Sequence, residues 1–389
     1  VTIFLSSKAI GYDRNVIVDD DSVTFTQATL EGPAWHLDAH AFQSLHRVAA
    51  ASGQRIRCKP DDNRVSWWEN FNTTVRYDHV LGRTAYLRYV KDLIADCKTL
   101  TEYDNYYTTQ YQVQNKLLDC LAPVFIDKTA ADKIENRDSL SLVADDTGMC
   151  EVAAYDNFGS STGRMSVKAG PKILTMSKET RHVFKSRWGK EGVLLSVDFN
   201  ALEPRVIMTL MGKTDLPADI YQVLGDEAGA SHIDRPTLKL MVLAILYGMT
   251  RRNFIVKFVD VPDVDVTYDR LLAALGVKKI LGKIKDQMQD GAFTNYYGRH
   301  LKCDNESLMV NHYTQSTAVD VACDGFLRFV QDCEDFVTPV FLLHDEIIID
   351  VKKVDVNKVK EYTTQGLYIP SLDTRFHTTT KVFNARKDH

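Results

Sequence analysis

The chain has 389 residues, 44% of them apolar and 25% charged, ordinary proportions for a globular protein of two or three domains or one large multi-lobed one. A formal net charge of −5 at pH 7 excludes an overall basic field, so any nucleic-acid partner has to meet a local basic surface. Seven cysteines, an odd count with no C-x-x-C pair, argue against a disulfide framework or a zinc site and fit a reducing compartment. No apolar run approaches the roughly 20 residues of a membrane span, and no signal peptide opens the chain, so a cytoplasmic setting is expected. Val1 stands where an initiator Met would, as in a longer or processed product.

In chain order, residues 1–60 mix alternating stretches such as SVTFTQATL (22–30) with loops and read as small β or α+β structure. NRVSWWENFN (63–72) sets Trp67 beside Trp68, and buried packing is expected of both. Between 84 and 122, apolar residues recur at three- and four-residue spacing, a helical pattern that ends at Pro123. A Gly/Ser/Thr-rich turn follows within 143–166. GVLLSVDF (192–199) reads as a buried strand; 235–260, 266–291 and 311–332 read as helices, and 338–352 as strand–turn–strand. There is no internal repeat and no low-complexity tract.

Three stretches carry chemistry that packing alone does not explain. In LLSVDFNALEPRV (194–206), Asp198 ends an apolar strand, where a carboxylate is costly unless paired; Glu203 and Arg205 follow, and Pro204 is expected to disturb an immediate helix. FLLHDEIIID (341–350) puts His344, Asp345 and Glu346 at the turn of an apparent hairpin. If the two strands share a sheet, Asp198 and Asp345 meet, and two such carboxylates repel unless a divalent cation bridges them; hard oxygen donors suit Mg²⁺. In DRPTLKLMVLAILYG (234–248), Arg235, Lys239, Leu243 and Tyr247 are spaced by four and fall on one helix face, with Asp234 as cap and Pro236 in the first turn. Cations at one end and an aromatic surface about 12–18 Å along match the polarity of a nucleoside triphosphate.

Together these stretches resemble the family A DNA polymerases, the class of bacterial DNA polymerase I and many phage replicases. DFNALEPR (198–205) keeps Asp198, Glu203 and Arg205 of the family's first motif; Arg235, Lys239, Tyr247 and Gly248 keep the spacing of its second; His344–Glu346 is its third. STGRMS (161–166), YYGRHLK (296–302) and NHYTQSTAVD (311–320) resemble three lesser elements in the family's order. The resemblance is strong over 148–351 and faint outside it. Leu243 stands where the DNA enzymes usually have Phe or Tyr, which bears on discrimination at the sugar 3′ position. Ala201, Tyr313, Ser316 and Ser307 also depart from the pattern, near the minor-groove side of the primer end.

The resemblance implies an α+β right-hand fold: a palm with an antiparallel sheet (148–208 and 300–389), helical fingers (209–299) and a helical thumb (80–147), with 1–79 a small region of unassigned role. It implies template-directed addition of deoxynucleotides to a primer 3′-hydroxyl with pyrophosphate release, by two Mg²⁺ ions for which Mn²⁺ can substitute. Asp198, Asp345 and the Phe199 carbonyl would hold the metal, with Glu346 and Arg205 supporting it from behind. Arg235 and Lys239 would meet the phosphates, Lys239 also giving a proton to pyrophosphate. Leu243 and Tyr247 would face the base, and Glu203 would exclude a 2′-hydroxyl. His344, Arg164, Asn311, Gln315 and Arg299 would contact primer and template. Partners would be primer-template DNA, deoxynucleoside triphosphates and a separate processivity or exonuclease subunit, with no membrane; a 3′–5′ exonuclease is not expected in this chain.

Eight Lys or Arg between 164 and 190 against the single acid Glu179 are expected to follow DNA phosphates. A phage or viral replicase in the host cytoplasm is the expected setting. The rivals are a single-subunit RNA polymerase, which Glu203 and Glu346 oppose and Leu243 favours, and an inactive polymerase-like DNA-binding subunit.

Overall fold

The computed structural model describes the chain except residues 1–2, 13, 19–21, 28–34, 38, 58, 70–74, 103–105, 135–140, 214–215 and 384–389. It is a mixed helix and sheet protein that divides into two compact units, residues 1–108 with 298–300, and residues 109–297 with 301–389. The boundary falls inside the 80–147 span expected of a thumb. No helix among the described residues is long and apolar enough to cross a membrane.

In the first unit, β1 (Ile3–Leu5), β2 (Asn15–Val18), β3 (Val23–Thr26) and β4 (Trp35–Leu37) form a sheet in the order β3-β2-β1-β4, antiparallel except for the parallel β1–β4 pair. Ile3, Leu5, Val16 and Val18 pack in one apolar cluster with Tyr86, Val90 and Leu93 of α1 (Arg83–Glu102), whose three- and four-residue spacing puts them on a single face. Trp67 and Trp68 depart from expectation. Both are on the helix Asn63–Glu69, but their side chains are 55% and 47% exposed while Val65 carries that helix's burial.

The second unit is built on a fully antiparallel four-stranded sheet. Its strands are β5 (Gly192–Phe199), β6 (Thr338–Leu343), β7 (Glu346–Lys352) and β8 (Thr378–Val382), in the order β6-β7-β5-β8. Period-two alternation decides what β5 offers to each side. Leu194 joins the core of Phe184, Phe341 and Ile348, whereas Phe199 packs 4.9 Å from Phe326 on the opposite side. Phe326 belongs to α7; the helices of this unit include, in chain order, α2 (Leu202–Leu210), α3 (Ile220–Glu227), α4 (Arg235–Leu246), α5 (Val264–Ala274), α6 (Val277–Asp286) and α7 (Glu306–Asp332). A Cβ on Gly325 would press on the Phe199 ring at 3.0 Å and the end of Ile369 at 2.6 Å, so glycine lets α7 pack against the Phe199 ring without displacing these side chains.

Helices α2 to α6 gather around Leu224, Leu238, Met241, Ile245, Leu271 and Ile280, a core separate from that beneath the sheet. Pro204 does not disturb α2 as expected. It lies in the helix's first turn, where a backbone N–H has no intrahelical partner to lose.

Candidate active site

Asp198 and Asp345 arrive at one place by strand register. Glu346 is paired with Asp198 across β7–β5, and the Phe199 N–H donates to the Asp345 carbonyl at 3.0 Å. His344 and Asp345 form the two-residue turn between β6 and β7, with His344 at φ +60°. Ala201, which opens α2 on the other side of Asp198, stands at φ +54°, a conformation that costs an alanine about 1–2 kcal/mol. A non-glycine left-handed residue thus follows one carboxylate and precedes the other.

These side chains line a cleft of about 370 Å³. Its floor includes Asp198, Phe199, His344 and Asp345; α4 contributes Arg235, Lys239, Leu243 and Tyr247; Arg164, Glu203 and Gln315 close the remaining wall. The stripe predicted from the four-residue spacing therefore faces the carboxylates. Asp234 caps α4 by accepting from the Thr237 N–H at 3.0 Å. Gly248 ends it at φ +75°, where a Cβ would collide with the Ser307 carbonyl at 2.0 Å. That contact seats the end of α4 directly on the start of α7.

Burial is the main cause that raises Asp198, to about 7; Asp345 and Glu346 add to it, and Lys381 and Lys239 offset it. Asp345 is likewise raised, chiefly by burial, with His344 and Arg164 offsetting and Glu346 adding. Burial and the neighbouring Arg164 cation pull His344 below its usual value, which favours a neutral imidazole. Glu203 is raised by burial against the opposing Arg164 and a hydrogen bond from Tyr247. Its Oε1 lies 3.4 Å from Arg164 Nη2, so residues from two distant stretches hold this one carboxylate.

The remaining predicted residues are placed differently. Arg205 is 1% exposed and spends its guanidinium on the carbonyls of Asn200 (2.7 Å), Leu216 (3.1 Å), Pro217 (2.5 Å) and Ala218 (2.7 Å), bracing the backbone under the cleft. Glu346 accepts a short hydrogen bond from Ser196 and does not line the cleft. Asn311 lies one turn before Gln315 on α7 and is also outside the lining. Gln315 itself accepts from Thr162 Oγ1 at 2.6 Å. Arg299, 4% exposed, belongs to the first unit, where it donates to the Tyr107 hydroxyl.

The basic run 164–190 is largely committed to the fold. Arg164 faces Glu203, Lys168 pairs with Asp156 at 2.9 Å, and Lys172 donates to the Val167 and Lys168 carbonyls. Arg181 donates to Ile173 and Met176, and Arg187 to the buried Asp350. Lys178, Lys185 and Lys190 remain exposed.

Sequence reading missed several groups. Thr379 pairs with Asp198 in the sheet and donates to Asn200 Oδ1 at 2.7 Å, and both line the cleft. Lys381, two residues on, projects from the same strand face. Asp320, 1% exposed, accepts from Gln114 and Asn295, each at 2.7 Å, which ties α7 to two other segments. Among the described residues no group of three or more His, Cys, Asp or Glu side chains gathers as a metal cluster.

The sequence matches no family model and no curated protein. Among solved structures, the chain is similar to the polymerase domain of Pol1 from M. smegmatis, in complex with DNA primer-template and dNTP, at 14% identity and a TM-score of 0.49. That superposition covers 87% of this chain and 63% of the other, so the chain spans less than two thirds of that structure's length.

Proposed function

We propose that the chain is a template-directed DNA polymerase of the family A type. The observation that carries this reading is the cleft in which Asp198 and Asp345 face the Arg235–Lys239–Leu243–Tyr247 stripe. Two carboxylates raised by burial and by neighbouring anions call for a cation, and a triphosphate needs the two cations opposite them. The donor set fits Mg²⁺: Asp198, Asp345 and the Phe199 carbonyl would offer it hard oxygens, while Glu203 and Glu346 are engaged by Arg164 and Ser196. When bound, Mg²⁺ supplies Lewis acidity at the primer 3′-hydroxyl and charge compensation at the departing pyrophosphate.

The chain's own groups do the rest. Arg235 and Lys239 bind the β- and γ-phosphates and offset charge as the leaving group separates. Lys239 is exposed, and no carboxylate pairs with it among the described residues, so its ammonium is available to protonate pyrophosphate. Glu203, held between Arg164 and Tyr247, sits as a fixed wall under the sugar and excludes a 2′-hydroxyl. Leu243 and the 44%-exposed Tyr247 offer the surface for the base. His344, Arg164 and Gln315 meet the primer end, and Asn311 the DNA further along; the buried Arg299, bonded to Tyr107, is not part of this contact.

Incubating the protein with labelled primer-template, Mg²⁺ and one nucleotide type at a time tests the reading. Extension of the primer by deoxynucleotides is the expected result. Unprimed synthesis from ribonucleotides would instead identify an RNA polymerase, and tight DNA binding without extension an inactive subunit.

A further inference from the structure

We propose that Asp219 is a positioning residue that aims Arg235 at the triphosphate. The inference rests on the polymerase reading and adds a residue outside the stretches that carry the resemblance. Arg235 opens α4 and is 56% exposed, so a free side chain would give up about 2 kcal/mol of rotamer entropy on binding an anion. It is not free. Its Nε donates to Asp219 Oδ2 at 2.5 Å, and its guanidinium carbon lies 5.4 Å from the centre of the Tyr221 ring.

The division of labour within the carboxylate makes this a fixed mount. Oδ1 caps α3, accepting from the Tyr221 N–H at 3.2 Å and the Gln222 N–H at 3.4 Å, which pins the side chain to a helix end. Oδ2 is left for Arg235. Because that bond uses Nε, the two terminal nitrogens keep the fork that matches two phosphate oxygens, and neither has a protein partner among the described residues. A competing anion would have occupied the fork itself. Arg235, Tyr221 and Ala218 line the cleft together with Lys239, so the guanidinium and the second phosphate-binding cation border one space. An ion pair this exposed adds little to stability, which leaves orientation as its effect.

Two substitutions separate orientation from helix capping. Asp219→Ser keeps a cap for α3 but is too short to reach Arg235. We expect it to raise KM for the deoxynucleotide about tenfold while kcat changes less than about twofold, with thermal unfolding unchanged. Asp219→Asn, which keeps both the cap and an acceptor for Nε, should recover most of that loss. Triphosphate binding measured with Ca²⁺ in place of Mg²⁺ should weaken in parallel, and Asp219→Ser should have no added effect in an Arg235→Ala background. An unchanged or lowered KM in Asp219→Ser, or full additivity with Arg235→Ala, overturns the inference while leaving the polymerase reading intact. A wild-type protein that neither extends primers nor binds triphosphate overturns both.

Discussion

Asp198 and Asp345 sit where a strand end and a hairpin turn converge, and burial raises both before their anionic neighbours add to the effect. A carboxyl whose folded pKa exceeds its unfolded value holds its proton too well in the native state, so stability falls as pH rises from the ordinary 3.8 through about 7. The groups that face Asp198 are Asp345, Glu346, Lys381 and Lys239, and the carboxylates prevail. In metal-free protein, Asp198→Asn should therefore stabilise at pH 8, by about 1–2 kcal/mol after allowance for solvent access, and clearly less at pH 5. Thermal unfolding with a chelator at the two pH values checks this; equal gains at both would contradict it. Glu203 offers a second test. Its side chain is only 12% exposed and held from two sides, so under the proposed function Glu203→Ala should admit ribonucleotides. An unchanged preference for deoxyribose in competition assays would refute the gate.

At the scale of elements, α4 works because both its ends are fixed, by the Asp234 cap and by the approach of Gly248 to Ser307. Gly248→Ala combines a left-handed backbone with a collision against a carbonyl, so it should cost about 2–4 kcal/mol and weaken triphosphate binding by displacing the stripe. Arg187 illustrates the opposite case. Its partner Asp350 has a fully buried side chain, so Arg187→Ala should cost about 3 kcal/mol in stability by leaving that carboxylate short of a charge, with DNA affinity unchanged. Chemical denaturation and DNA titration on the same preparation separate the two effects.

That contrast shows what the sequence made legible. Four-residue spacing located the α4 face and apolar runs located β5, β6 and β7, because local periodicity reports which side of an element is buried. The spending of a charge is set by tertiary neighbours, so a count of cations over 164–190 could not reveal that five of them are tethered. Arg205 read as part of a motif, yet its partners are backbone carbonyls of a loop up to 13 residues away, and no side-chain pattern marks them. Thr379 and Lys381 were missed for a related reason: β8 reaches Asp198 only through sheet pairing of segments nearly two hundred residues apart. The exposed Trp67 and Trp68 likewise show that composition alone does not decide burial.

For the whole molecule, the sheet and helices of the second unit bring segments spanning 164–379 to one cleft. With a net charge of −5, function depends on where the uncommitted cations lie, and Lys239 and the Arg235 fork open on that cleft. The most direct measurement is the single-turnover rate of primer extension with Mg²⁺ and deoxynucleotide for the wild type and Asp345→Asn, with DNA affinity measured beside it. Extension by the wild type is expected, with a loss of about a thousandfold or more in the variant and DNA binding within about twofold. Equal rates in the two proteins, at equal DNA affinity, would contradict this.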